Sequence, residues 1–280
     1  MSALPKNPDK RGHLAMNSAA RFASVLTIAW IAFAAPARAQ SSQAATDDCD
    51  AVRQSLDRAK KTLADWPNLA RYADANAKLQ PSAKNENRVV FMGDSITDFW
   101  VESEAGGFFP GKPYVDRGIS GQTTPQMLIR FRPDVVELGA KVVVILAGTN
   151  DLSGNTGPET VAEIEGNLAS MAQLARASKI RTVLASILPV SNYGHTRDGK
   201  PLNMTDHRPP EKILEVNAWM KKFCADNKLT YLDYFTAMVD DKGFFKPDLS
   251  EDGLHPNAKG YSVMSPLAEQ AIAQAMKRKP

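Results

Sequence analysis

The chain has 280 residues, 43% of them hydrophobic and 23% charged, enough for one sizeable globular body or two small ones. Its formal charge of +3 gives no argument for a nucleic-acid partner, because Lys6, Lys10, Arg11, Arg21 and Arg38 sit in the leading segment against the lone acid Asp9. Without those, 34 basic and 31 acidic residues become 29 and 30, a balance that leaves the rest of the chain near neutral.

The leading segment is laid out as an export signal. A polar, basic stretch precedes the apolar run Phe22 to Ala35, then Pro36 and the small-x-small pattern Ala37-Arg38-Ala39. That run is about 14 residues, shorter than the roughly 20 that span a bilayer as a helix. Residues 1–39 are therefore expected to be a signal peptide, leaving no stable membrane anchor and a periplasmic or extracellular product. A retained anchor is the competing reading, and both Met1 and Met16 stand as candidate starts. Residues 40–87 read as a linker and helical extension: a polar linker from Gln40 to Asp47, an amphipathic helix over 48–64, a helical piece near Leu69 to Leu79, and the polar connector Pro81 to Asn87. Cys49 shares a helical stripe with Val52, Leu56, Ala59 and Leu63. The main body is expected at 88–280.

From Arg88 onwards, strand and helix patterns alternate. Strands are expected at Val89 to Met92, Tyr114 to Asp116, Lys141 to Ala147, Arg181 to Leu188 and Thr230 to Tyr234. Helices are expected at Thr97 to Glu104, Thr124 to Phe131, Glu159 to Ser178, Pro210 to Asn227 and Ala258 to Lys277. The fold class that follows is α/β: a five-stranded parallel sheet covered on both faces, a three-layer α/β/α sandwich. Cys224 falls beside Met220 and Phe223 on the apolar face of the fourth helix. In an exported protein, a bridge between Cys49 and Cys224 is slightly preferred over two separate buried thiols, and neither cysteine has metal-site spacing around it.

Chemistry-bearing residues gather where the strands end. Gly93-Asp94-Ser95 closes the first strand, Gly118 and Gly121 follow the second, Gly148-Thr149-Asn150-Asp151 follows the third, and Asp252-Gly253-Leu254-His255-Pro256 precedes the last helix. Parallel strands bring these ends to one edge of the sheet. A serine hydroxyl needs a base, and a histidine base needs an acceptor that fixes its tautomer. Ser95, His255 and Asp252 supply that set. The Ser95 and Gly121 amides and the Asn150 side chain are candidate oxyanion donors. Each motif alone also fits an ordinary turn or helix cap. The long connection Ser191 to Pro209 either shapes a substrate pocket or is a solvated excursion, and it carries Tyr193, His195, His207 and Arg208.

Together, in this order, these blocks resemble those of the SGNH (GDSL-type) hydrolases, over about Val89 to Leu267. The details are similar to the branch that includes the platelet-activating-factor acetylhydrolase catalytic subunits. The resemblance implies a flavodoxin-like sheet and ester hydrolysis through an acyl-enzyme, with no metal or organic cofactor. It places the nucleophile at Ser95, the base at His255, the orienting acid at Asp252, and the oxyanion hole at Ser95, Gly121 and Asn150. The Gly-x-Ser-x-Gly elbow of α/β-hydrolases is absent. The expected function is an exported serine esterase acting on small acyl esters, with carbohydrate acetates the first candidates and lysophospholipids and simple short-chain esters the alternatives. An acyltransferase to sugar hydroxyls and a non-catalytic carbohydrate-binding protein are the rival readings. Trp100, Tyr193 and His195 are candidate substrate contacts, although aromatics so near a strand also suit the core. Oligomeric state is not legible.

Overall fold

The computed structural model describes residues 36–83, 86–103, 107–196 and 198–279, with side chains from residue 49 onwards. Most of the expected signal peptide, residues 1–35, lies outside the described residues. Contacts divide the chain into two units, Met1–Asp57 and Arg58–Pro280. In the first, the described part is helical, belonging to α1 (Pro36–Ala64). The expected linker at 40–47 is therefore helix: Pro36 opens α1 where its missing N–H costs nothing, and neither glycine nor proline follows until the helix has ended.

In the second unit a 3₁₀ turn (Leu69–Arg71) and α2 (Ala73–Lys78) lead to β1 (Val89–Gly93) and α3 (Ser95–Asp98). Next come β2 (Tyr114–Gly118) and α4 (Thr124–Phe131), the latter continued by a π turn (Arg132–Val136). β3 (Val142–Leu146), α5 (Thr149–Leu152), α6 (Val161–Ala177) and β4 (Arg181–Ala185) follow. The chain ends with α7 (Met204–His207), α8 (Pro210–Asn227), β5 (Thr230–Leu232), α9 (Phe235–Met238) and α10 (Ala258–Met276). The sheet order is β2-β1-β3-β4-β5, all parallel. This is the flavodoxin-like order, whose switch point lies between β1 and β3.

Alternation along each strand divides the core. Val90 and Met92 of β1 join Val143 and Ile145 of β3 against Met127, Phe131, Leu168 and Met220, on the face covered by α4, α6 and α8. Val89, Phe91, Val142 and Val144 face the opposite way, onto Ile96, Trp100, Tyr261 and Met264. Strands buried on both faces must be apolar at every position, which is why Val142–Leu146 reads VVVIL.

Two sequence expectations fail here. Cys49 and Cys224 are both free thiols: Cys49 is exposed on α1, and Cys224 is buried with its Sγ 3.7 Å from the Thr230 carbonyl. The stripe beginning at Cys49 is likewise not core, since Val52, Leu56 and Leu63 are exposed.

Candidate active site

The register of the sheet sets the site. Gly93 at the end of β1 stands opposite Gly118 of β2 and Leu146 of β3, so the segments after these three strands lie side by side. A Cβ at Gly118 would come within 2.2 Å of the Asp98 amide nitrogen, so only glycine lets the first turn after β1 fold against β2. Asp94 caps that turn by accepting the Ile96 amide at 2.9 Å, which leaves Ser95 at the first position of α3.

Ser95 Oγ lies 2.9 Å from His255 Nε2, and His255 Nδ1 lies 2.7 Å from Asp252 Oδ2. With Nδ1–H donating to the carboxylate, Nε2 is the acceptor and the serine hydroxyl the donor. The other Asp252 oxygen accepts the amides of Leu254 at 3.0 Å and His255 at 2.8 Å, so one carboxylate both shapes the turn and orients the ring. Burial opposes ionisation of Asp252, but the hydrogen bonds from the His255 ring and amide outweigh it and hold the carboxyl well below its ordinary range. The turn depends on Gly253, which has φ +74°; a Cβ there would meet the Ser191 carbonyl oxygen at 2.1 Å. The exposed ring of Phe99 lies 5.1 Å from the imidazole, tilted by 51°.

The second cluster is built on the segments that follow β2 and β3, next to the one that follows β1. Gly121, in the left-handed region at φ +79°, has its carbonyl held by Asn155 Nδ2 at 3.0 Å. Asn150 Nδ2 donates to the Gln122 carbonyl at 3.0 Å, while Asn150 Oδ1 accepts from Arg208 at 3.3 Å. A cation on one end of the amide and a carbonyl on the other fix which atom is nitrogen. The second Nδ2 hydrogen stays available to a ligand. Among the described residues, neither the Ser95 nor the Gly121 amide is spent on an intramolecular acceptor. The arrangement can therefore deprotonate a hydroxyl and present up to three N–H donors to a developing negative charge.

Sequence reasoning names Arg208 only as one residue of the 191–209 connection and gives it no role in this set. Arg208 is 7% exposed, its Nε donates to Thr149 Oγ1 at 3.1 Å, and burial lowers its pKa while Asp94 and Asp252 act to raise it. Its signal was weak: an arginine at the end of the long 191–209 connection, directly before Pro209 and Pro210. Asp94 is fully buried with Oδ2 unpartnered, and burial pushes its carboxyl up to about 6. Asp151 accepts the Thr124 amide at 2.9 Å and its hydroxyl at 2.5 Å, bracing α4 against α5.

The structure gathers Ser95, His255 and Asp252 on one side and Gly121 and Asn150 on the other, but Trp100 departs from expectation. It is 1% exposed and packs among Phe91, Phe109 and Tyr261, so it is core, not a substrate wall. Tyr193 donates its hydroxyl to Asp240 at 2.8 Å, and His195 is exposed in a bridge with Pro201. Neither makes a hydrogen bond to the Ser95 set among the described residues. No group of three or more His, Cys, Asp or Glu side chains there is placed to hold a metal ion.

Comparison with known proteins places this geometry in a family. The model of the GDSL-like lipase/acylhydrolase family matches residues 91–263. A GDSL-like lipase from Bacteroides thetaiotaomicron is 41% identical, with a TM-score of 0.67 over 75% of this chain and 98% of its own. A Bacteroides fragilis chain assigned to the acylhydrolases is 40% identical, with a TM-score of 0.69 over 76% of this chain and 99% of its own. Esterase TesA of Pseudomonas aeruginosa is 29% identical over 142 residues, 51% of this chain; the match spans about three fifths of that curated relative, 60% of its length. The chain belongs to the GDSL-like lipase/acylhydrolase family, whose members are carboxylic ester hydrolases.

Proposed function

We propose that the protein is a serine esterase that hydrolyses small acyl esters through an acyl-enzyme on Ser95. The observation that carries this reading is the unbroken relay of 2.9 Å from Ser95 Oγ to His255 Nε2 and 2.7 Å from His255 Nδ1 to Asp252. His255 Nε2 takes the Ser95 proton as Oγ attacks the ester carbonyl, and Asp252 stabilises the imidazolium that forms. The carbonyl oxygen, now negative, accepts from the Ser95 and Gly121 amides and from Asn150 Nδ2. Collapse of the intermediate expels the alcohol, which receives the proton from His255. A water molecule activated by the same ring then attacks the acyl carbon, releasing the acid and restoring Ser95.

The small-acyl preference rests on the sequence: the polar 191–209 connection, with its Tyr, His and Arg side chains, suits a polar alcohol such as a sugar, so carbohydrate acetates are the first substrates to try. Export is part of the same proposal and rests on the composition of residues 1–39; among the described residues no helix is long and apolar enough to cross a membrane.

The test is hydrolysis of p-nitrophenyl esters of increasing acyl length by the purified protein and by Ser95→Ala, with both checked for folding by circular dichroism. Acetate cleaved fastest by the parent, with the variant inactive, supports the reading. A folded parent as inactive as Ser95→Ala on every ester overturns it.

A further inference from the structure

Residues 58–76 precede the segment matched by the family, yet they are fastened to the loop that carries Gly121. Gln122 Nε2 donates to the Pro67 carbonyl at 2.7 Å, Gln126 Nε2 donates to the Trp66 carbonyl at 2.7 Å, and the Tyr72 hydroxyl donates to the Gly118 carbonyl. Asn76 continues the seam, donating to Asp134 at 2.7 Å and accepting from Arg117 at 2.9 Å. Between this segment and the 119–122 and 155–156 loops opens a cleft of about 890 Å³. Gly121 and Gln122 form part of its wall, so the cleft begins where the oxyanion donors lie.

What the cleft can recognise follows from which of its polar groups are still free. Gln122 is engaged at both ends, by Pro67 and by Arg130 Nε at 2.5 Å. Gln126 is engaged by Trp66 and by the Thr123 amide, and Ser120 Oγ donates to Asp98 at 2.7 Å. Asp65 is also occupied, accepting the Leu69 and Ala70 amides at 2.7 and 2.9 Å. Arg58 and Lys61, one turn apart on α1, are different: both line the cleft and neither has an acidic partner among the described residues. The charges still open to a ligand are thus two cations, beside the half-buried Trp66.

We propose that this cleft is a subsite for an anionic group on the ester, a carboxylate or phosphate carried by the alcohol portion, with Arg58 and Lys61 as its specificity-determining residues. The inference rests on the esterase reading of Ser95. Both side chains reach open solvent, so their role is selection between substrates: they favour the anionic member of a matched pair and leave the chemical step untouched.

The experiment compares matched pairs: a mono-acetylated methyl glucuronoside against the corresponding methyl glucoside, and acetylated glycerol 3-phosphate against acetylated glycerol. Each is assayed with the parent and with the double variant Arg58→Gln, Lys61→Gln. The parent is expected to prefer the anionic member, and the double variant to raise its KM about tenfold while kcat and the neutral member stay unchanged. Added salt should erode the preference in the parent and leave the variant unaffected. Preference for the glucuronoside or the phosphate separates a polysaccharide source from a lipid-headgroup source. Equal turnover of both members in parent and variant overturns the subsite while leaving the esterase reading intact. If the parent turns over no ester, calorimetric titration of Ser95→Ala with the same pairs decides. Tighter binding of the anionic member, lost when Arg58→Gln and Lys61→Gln are added, supports the subsite, and equal binding overturns it.

Discussion

Replacing Asn150 with alanine tests the oxyanion assignment most directly. In the resting protein one Nδ2 hydrogen is spent on the Gln122 carbonyl at 3.0 Å, and the other is held ready by the grip of Arg208 on Oδ1. That second hydrogen bond strengthens only as negative charge develops, so its loss should fall on kcat rather than KM. Removing one such donor costs about 10² to 10³ in turnover, or ~3 to 4 kcal/mol of transition-state stabilisation. Asn150 is buried, so Asn150→Ala also strands the Gln122 carbonyl and part of the Arg208 guanidinium, at about 1 to 3 kcal/mol of stability. Asn150→Asp is the complementary variant. It keeps an acceptor for Arg208 and the side-chain volume, but it removes the donor, turns a carboxylate oxygen toward the Gln122 carbonyl and adds negative charge where the oxyanion forms. Steady-state kinetics on p-nitrophenyl acetate, read beside thermal melts that report the stability cost separately, should show Asn150→Asp at least as slow as Asn150→Ala. A kcat within threefold of the parent for either variant, with the protein folded, would falsify the role of Asn150 as a donor.

Asp94 should make stability fall as pH rises. Its folded carboxyl sits near 6 against an ordinary 3.8, so between those values the folded state holds the proton that the unfolded chain releases, and stability is lost across that window. The difference is on the order of 3 kcal/mol, and Asp94→Asn should flatten the pH dependence of Tm between pH 4 and 7. Gly253→Ala should lower both Tm and kcat, because φ is +74° and the new Cβ would lie 2.1 Å from the Ser191 oxygen; unchanged kinetics would mean that the turn is not what delivers His255. Native protein treated with a thiol reagent should show one reactive cysteine and the unfolded protein two, since Cys49 is exposed and Cys224 is buried with its thiol pushed up to about 12. A native count of zero would restore the bridge.

What the sequence revealed and what it hid follow physical lines. α4 and α8 keep their expected bounds because their ends carry strong local signals: a Thr123–Gln126 capping box at one, Pro209 and Pro210 at the other. β4 stops at Ala185 although the apolar run continues to Leu188, because its neighbour β5 runs out at Leu232, the partner of Ala185. The helix expected over 97–104 lasts only to Asp98, after which the chain turns so that Trp100 enters the core. α5, α7 and α9 are four residues each, too short for a helical period to register. In the site, Ser95, Asn150, Asp252 and His255 could be singled out because each lies within a short glycine-marked motif. Arg208 could not be, because its partners Thr149 and Asn150 are almost 60 residues away and nothing local marks that pairing.

The seam between Gln122, Gln126 and the Trp66–Pro67 segment joins side chains on one side to main-chain carbonyls on the other. Every residue has a carbonyl, so the fastening is indifferent to which side chains occupy 66 and 67. The Trp66 side of the cleft wall is thus decoupled from its own attachment: Trp66 and the exposed α1 side chains that line the cleft can be exchanged without loosening the loop that carries Gly121, as long as Gln122 and Gln126 are kept. A scaffold wired in this way lets substrate preference drift, or be redesigned, while the machinery at Ser95 stays fixed.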